Sequence, residues 1–235
     1  CQKHYLGLTS AGLSVDLLSK KSAFDDYKVL VLPSLYILEA DLEAKLNDFV
    51  QKGGILVGTF LTAYVNETNL CHLGGFPGKS MRQLFGIWNE GMDYLFPDES
   101  IKVKDVQLGS KYKLDGMSFT VIEQLNLEGA KALSEADSDF HQGAPLITEN
   151  KIKDGLAYYL AAEFDDTVLE NFYKCLKSKH HLEDAHEGIE LPKGVVLRKR
   201  CSKEGNFYFL FNYRNTKVQI DFGTQEWLNF LKNKK

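Results

Sequence analysis

Residues 27–60 read without strain as a strand, a helix and a second strand, and no other stretch of the chain restricts the fold as sharply. Val29-Leu30-Val31-Leu32 is a continuous apolar run closed by Pro33 and Ser34, the pattern of a strand buried on both faces. Between residues 39 and 52, Leu42, Leu46, Phe49 and Val50 fall at i, i+4, i+7 and i+8 and form one helical stripe. Glu39, Asp41 and Glu43 sit near the positive end of that helix and Lys52 near the negative end, with Gly53 where a left-handed cap belongs. Ile55-Leu56-Val57 then opens a second buried strand. Two apolar strands joined by a helical crossover pair in parallel with right-handed hand, so an α/β sheet covered on both faces is expected.

A chain of 235 residues, 44% hydrophobic, holds one large domain or two smaller ones. A formal net charge of −4, with Lys and Arg scattered rather than clustered, excludes a phosphate-binding surface and with it a nucleic-acid partner. No apolar run approaches the roughly 18 residues of a membrane span, and no charged-then-apolar leader opens the chain, so no membrane partner is expected. Cys1, Cys71, Cys175 and Cys201 are too far apart for a C-x-x-C motif and too few for a disulfide scaffold; they read as free thiols in a reducing cytoplasm. The chain opens on Cys1 rather than Met, which reads as a fragment or a processed chain.

Residues 4–11 read as the tail of a helix stopped by Gly12, and residues 13–18 alternate as a short strand. A doubly wound domain normally opens with a strand, so a first strand is expected to be missing, leaving a gap at or near the middle of the sheet. Residues 66–78 are loop-like, residues 80–85 make a helical turn or two, and 101–106, 112–114 and 118–122 read as peripheral strands. The αβ or ββ rhythm returns at 130–136, 145–148 and 156–161. Residues 167–177 close the domain as a helix with Val168, Leu169, Phe172, Tyr173 and Leu176 on its stripe. Residues 180–190 form a polar linker, and strands at 194–198, 207–213 and 218–222 begin a small antiparallel domain. The expected division is 1–182 and 190–235.

Local chemistry supplies no catalytic centre, and no cofactor or metal is expected. The strand end Gly58-Thr59-Phe60-Leu61-Thr62 has neither Ser nor Cys where α/β hydrolases and amidotransferases place a nucleophile, and Thr59 and Thr62 read as polar strand-end residues. Cys71-His72 pairs a thiol with an imidazole, but sequence neighbours usually point apart. Cys1 would need to start a strand to serve as an N-terminal nucleophile, and it starts a helix. His180, His181 and His186 with Glu183, Asp184 and Glu187 lie in an apolar-poor segment that reads as solvated linker. Tyr208, Phe209, Phe211 and Tyr213 read as core aromatics of a small sandwich before they read as a stacking surface.

Several segments in series carry a family resemblance. Tyr27 to Pro33, Phe49-Val50-Gln51-Lys52-Gly53-Gly54-Ile55-Leu56-Val57, Val65-Asn66-Glu67-Thr68-Asn69, His72-Leu73-Gly74-Gly75-Phe76-Pro77-Gly78 and Leu84-Phe85-Gly86-Ile87 resemble the trimerisation domain of glycoside hydrolase family 42 β-galactosidases. Gly143 to Asn150 and Gly155 to Leu160 resemble its last part, and Leu191 to Arg200 with Phe207 to Tyr213 the small C-terminal β domain of that family. The resemblance implies a class I glutamine amidotransferase-like (flavodoxin-like) domain that lacks the nucleophile, followed by a small antiparallel β domain. It also implies a homotrimer, and hydrolysis of terminal β-galactosides by a retaining carboxylate pair in a separate TIM barrel. A (β/α)₈ barrel of about 250 residues cannot fit beside the two domains assigned here. The reading is therefore an assembly portion that reaches substrate only through that barrel; the alternative is a stand-alone amidotransferase-like thiol hydrolase using Cys71. Loop apolar residues Leu70, Leu73, Phe76, Trp88, Tyr94 and Leu95 are the expected contact, since residues 66–95 are richest in such groups outside periodic structure.

Overall fold

A computed structural model of the chain describes residues 1–78, 80–107, 110–186, 188–192 and 194–223. The crossover unit forms as its pattern dictates. Strand β1 (Val29–Leu32) runs parallel to β2 (Ile55–Thr59), with Val29 opposite Ile55 and Leu32 opposite Gly58, and helix α2 (Ala40–Gln51) connects them. Leu42, Leu46, Phe49 and Val50 are the residues α2 buries. The helix ends where Gly53 adopts a φ of 98° and the Gly54 amide bonds back to the Phe49 carbonyl, satisfying a carbonyl the helix leaves open.

The rest of the sheet is added from both directions. Beyond α1 (Gln2–Ser10) and the crossover unit come α3 (Ser80–Phe85), β3 (Ile87–Tyr94), β4 (Ile101–Asp105), β5 (Gly116–Leu127), β6 (Lys131–Ala136), β7 (Pro145–Ile152), β8 (Gly155–Leu160), β9 (Ala162–Phe164) and α4 (Asp166–Lys179). These make one nine-stranded sheet in the order β1-β2-β8-β7-β6-β4-β5-β3, with β9 on β5. Strands β1, β2 and β8 are parallel, and the other pairings are antiparallel. The sheet is thus a mixed α/β sheet, with the parallel pairing confined to β1, β2 and β8. The connections joining β6 to β7 and β7 to β8 are shorter than the dozen or more residues a parallel crossover needs.

Two cores flank the sheet. Alternate residues of β2 and β8 point to opposite faces: Ile55, Val57, Tyr158 and Leu160 pack with α1 and α4, while Leu56, Ala157 and Tyr159 pack with α2 and α3. The Asp165 carboxylate caps α4 by accepting from the Val168 amide at 2.8 Å, and Val168, Leu169, Phe172, Tyr173 and Leu176 are buried as their spacing dictates.

Several expectations are corrected. Residues 13–18 form no strand; a strand needs a neighbour to ladder with, and among the described residues β1 pairs only with β2. That free flank of β1 is the sheet's edge rather than its middle. Residues 112–114 are irregular. β3, in contrast, lies inside the stretch read as irregular up to residue 95; its Asn89, Glu90 and Asp93 break the apolar alternation that announces a strand. At the C-terminal end, β10 (Val195–Ser202) and β11 (Gly205–Asn212) form a two-stranded antiparallel sheet, and residues 218–222 add no strand to it. Val195 and Leu197 of β10 are buried, and Arg198 donates to the Tyr5 hydroxyl of α1 at 3.0 Å. Of the aromatics expected in a sandwich core, Phe209, Phe211 and Tyr213 are exposed and Tyr208 is half-buried. No helix among the described residues is long and apolar enough to cross a membrane.

Candidate assembly surface

The loops that leave the carboxyl ends of β1 and β2 meet and form a small ribbon. Ile37 bridges Val65 in parallel, and Val65 bridges Cys71 in antiparallel fashion. The Leu38 amide donates to the Val65 carbonyl at 2.9 Å, and the His72 amide to the Tyr64 carbonyl at 3.1 Å. Asn66 shapes the tip, its side-chain oxygen accepting from the Thr68 and Leu70 amides at 2.9 Å each, an Asx turn. On this ribbon Leu70 is 65% exposed, and Leu73 in the turn that follows it 96%; Tyr36 and Ile37 are exposed as well. Tyr94, at the far end of β3, is 66% exposed.

The other three expected contact residues are engaged by the fold itself. Phe76 stacks on Tyr64 with ring centroids 4.1 Å apart and planes 7° from parallel, and Tyr64 in turn stacks on Tyr36. Arg82 lies over the Trp88 ring, donates to the Gly74 carbonyl at 2.9 Å, and pairs with Glu128. Leu95 packs against the core shared by α1 and α4. Each is half-buried, so the outward apolar surface is made by Leu70, Leu73 and Tyr94 with Tyr36 and Ile37. Tyr36 and Ile37 follow the Pro33-Ser34 strand stop, and their apolar character at a strand exit was the available signal.

Beneath the surface lies Glu123 of β5, with no solvent exposure. Its carboxylate accepts from the Leu61 amide at 2.9 Å, the Tyr64 hydroxyl at 2.8 Å and the Tyr159 hydroxyl at 2.7 Å. Asn89 donates to the same Tyr64 hydroxyl at 2.5 Å. Burial raises the Glu123 pKa above the ordinary carboxylate range, and those donors offset part of the effect. Sequence reading missed this residue, since a Glu in a strand is normally assigned to the solvent face. Its signal was register, because Glu123 shares a strand face with the buried Val121 and Leu125.

The candidates for chemistry are not assembled into sites. The turn after β2 holds Leu61 at φ 63° and Ala63 at φ 59°, a sharp bend without a Ser or Cys on it. Thr59 accepts from the Ser34 amide at 2.7 Å and is buried with Thr62. Cys71 is exposed, and no hydrogen bond joins it to His72 among the described residues; the His72 ring is packed over Gly78. The thiol-hydrolase alternative is therefore not supported. Cys1 is exposed at the start of α1. In the histidine-rich linker, Tyr158 and His180 share a hydrogen bond of 2.8 Å, Asp184 pairs with Lys177, and Glu183 with Lys199. Glu187 lies outside the described residues, which contain no group of three or more ligating side chains able to hold a metal ion.

The β-galactosidase trimerisation domain of the glycoside hydrolase family 42 type matches residues 1–183. β-Galactosidase Pbg of Clostridium perfringens is 35% identical over 223 residues, covering 94% of this chain and 32% of that protein. β-Galactosidase BgaP of Planococcus sp. strain L4 is 32% identical over 232 residues, covering 97% and 33%. Among solved structures, the cold-adapted β-galactosidase of Rahnella sp. R3 superposes with a TM-score of 0.84 at 35% identity, over 90% of this chain and 31% of that one. The β-galactosidase of Bacillus circulans sp. alkalophilus gives 0.83 at 28% identity, over 89% and 30%. The chain spans about a third of the length of the relatives it matches. It belongs to the glycoside hydrolase family 42 β-galactosidases, and the part of them that it carries is the non-catalytic trimerisation domain.

Proposed function

We propose that the chain is the assembly portion of a β-galactosidase that hydrolyses terminal β-galactosides. It joins three copies through the surface made by Leu70, Leu73 and Tyr94 with Tyr36 and Ile37. The observation that carries the reading is Leu73, which is 96% exposed in a turn whose neighbours are held, His72 by its amide on the Tyr64 carbonyl and Gly74 by Arg82, an arrangement that wastes apolar surface in a monomer and suits a contact. Catalysis belongs to a barrel outside the two units assigned as 1–182 and 190–235. The three parallel strands with helices on both faces, and the nucleophile-free bend at Leu61, support an amidotransferase-like, flavodoxin-like ancestry for the first unit. The free flank of β1 and the unformed alternation at residues 13–18 support an upstream first strand that would pair there. Four free thiols support a cytoplasmic location.

Sedimentation of the full-length protein tests the contact. A trimer is expected for the parent sequence, and dissociation for Leu73→Asp with thermal stability kept. A trimer that persists in Leu70→Asp/Leu73→Asp would remove this surface as the site, and a monodisperse monomer of the parent at micromolar concentration would remove the assembly role.

A further inference from the structure

The contact loop is held from within. Glu123 is fully buried and, among the described residues, has no Lys, Arg or His within ion-pair distance, an arrangement that costs stability unless its bonds accomplish something else. Two of its three donors, the Leu61 amide and the Tyr64 hydroxyl, come from the bend after β2. Leu61 and Ala63 there hold positive φ, a backbone state that L side chains leave unless the surroundings fix it. From that bend the restraint runs outward. The Gly78 amide donates to the Ala63 carbonyl at 2.8 Å and the His72 amide to the Tyr64 carbonyl. The Tyr64 ring carries Phe76 on one side and Tyr36 on the other, and the Asn89 amide closes the far end on the Phe76 carbonyl at 2.7 Å. The segment bearing Leu70 and Leu73 is thus suspended between Tyr64 and Phe76, and Tyr64 is tied to Glu123.

We propose that Glu123 is the positioning residue of the assembly surface, holding the bend after β2 and, through Tyr64, the ribbon that presents Leu70 and Leu73 to a second copy of the chain. The proposal rests on the reading of that ribbon as the contact. It deepens that reading with a proton-linked element. The titratable groups facing the carboxylate are Tyr64 from the bend and Tyr159 from β8, with Tyr94 of β3 acting on Tyr64; burial raises the pKa of both Tyr64 and Tyr159 further above 10.0, so neither ionises near neutrality. Because the buried carboxyl titrates above its value in an opened, solvated loop, protonation favours the closed loop. Rising pH then favours opening from the ordinary carboxylate range up to the raised value.

The test measures amide exchange and self-association in the full chain. Tyr64→Phe keeps the ring stack and removes the tie. It is expected to speed opening-limited exchange at His72 and Gly78 about tenfold and to weaken self-association by a similar factor, as the loss of one buried hydrogen bond implies. Amides inside β2 should keep their protection. Glu123→Gln can still accept from Leu61 and Tyr64 and donate to Tyr159, so it should retain association while flattening its dependence on pH above the ordinary carboxylate range. Unchanged exchange at His72 and Gly78 in Tyr64→Phe, or an equal acceleration of all amides, would overturn the proposal and leave Glu123 a core residue only. Should the Gln variant fail to fold, Tyr64→Phe decides alone. If Leu73→Asp leaves association intact, the contact reading has failed, and exchange at His72 and Gly78 still reports separately whether Glu123 holds the loop.

Discussion

Strands β2 and β11 are both written in apolar residues and end in opposite surroundings. Every residue of β2 is buried, whereas Phe207, Phe209, Leu210 and Phe211 of β11 are all exposed. The difference lies in what flanks each strand. β2 has a parallel neighbour on either edge, and helices on both faces of the sheet; β11 pairs only with β10 among the described residues, and β10 buries Val195 and Leu197 while the side chains of β11 stay outside. Apolar sequence sets what a strand can bury, and neighbours decide whether it does. Substitutions graded across the two regions should therefore separate sharply.

The largest effect is expected at Gly155, which opens β8 beside β2. A Cβ there would lie 1.9 Å from the Val50 carbonyl oxygen and 2.8 Å from that of Gly54, both main-chain atoms that cannot swing aside. Gly155→Ala is expected to cost about 3 kcal/mol or more, toward the upper end of overpacking penalties, seen as a large fall in the denaturation midpoint or as failure to fold. A midpoint within a degree or two of the parent's would show that α2 slides freely on β8 and break the account of a rigid parallel unit. Next comes Leu56→Ala, which empties space between α2, α3 and the sheet; chemical denaturation should register a loss of about 2–5 kcal/mol. Leu73→Asp should fall near zero on the same scale, within about 0.5 kcal/mol, because the side chain has little internal packing to lose. Its large effect is reserved for sedimentation.

The parallel unit was legible because its pattern and its surroundings agree: continuous apolar runs, one helical stripe and a glycine stop all point to the same arrangement. Legibility fell where a residue's role depends on a remote partner. Residues 13–18 alternate correctly but have no strand to ladder with. β3 hides behind Asn89, Glu90 and Asp93, and only its pairing with β5 makes it a strand. Leu61 reads as an ordinary apolar residue, since leucine seldom adopts a positive φ and nothing in the sequence announces the bend. At the candidate surface, the sequence offered apolar residue types but not their direction. Leu73 and Trp88 look alike as loop apolar groups, yet one faces solvent while the other lies under Arg82. Glu123 was invisible because its burial follows from three donors contributed by the bend after β2 and by β8.

A smaller effect than at Leu56 is expected on β11, and it tests the comparison most directly. Phe209 faces Arg198 across the hairpin, 48% exposed, so roughly half of its surface already lies in water in the folded chain. Fully burying a phenylalanine stabilises by about 1.5–3 kcal/mol, so the portion lost on truncation is about 1 kcal/mol. Serine at this position also gives up part of the strand preference of an aromatic, a cost of a few tenths of a kcal/mol up to about 1. Unfolding of Phe209→Ser should therefore shift by about 1–2 kcal/mol at most, and only if the hairpin melts together with the first unit. Should the hairpin melt on its own, the main transition will not move at all, and the change will appear as faster amide exchange confined to β10 and β11. A loss comparable to that of Leu56→Ala would mean that the outer face of β11 is covered in solution, and the contrast between the two strands would then be one of visible partners rather than of burial.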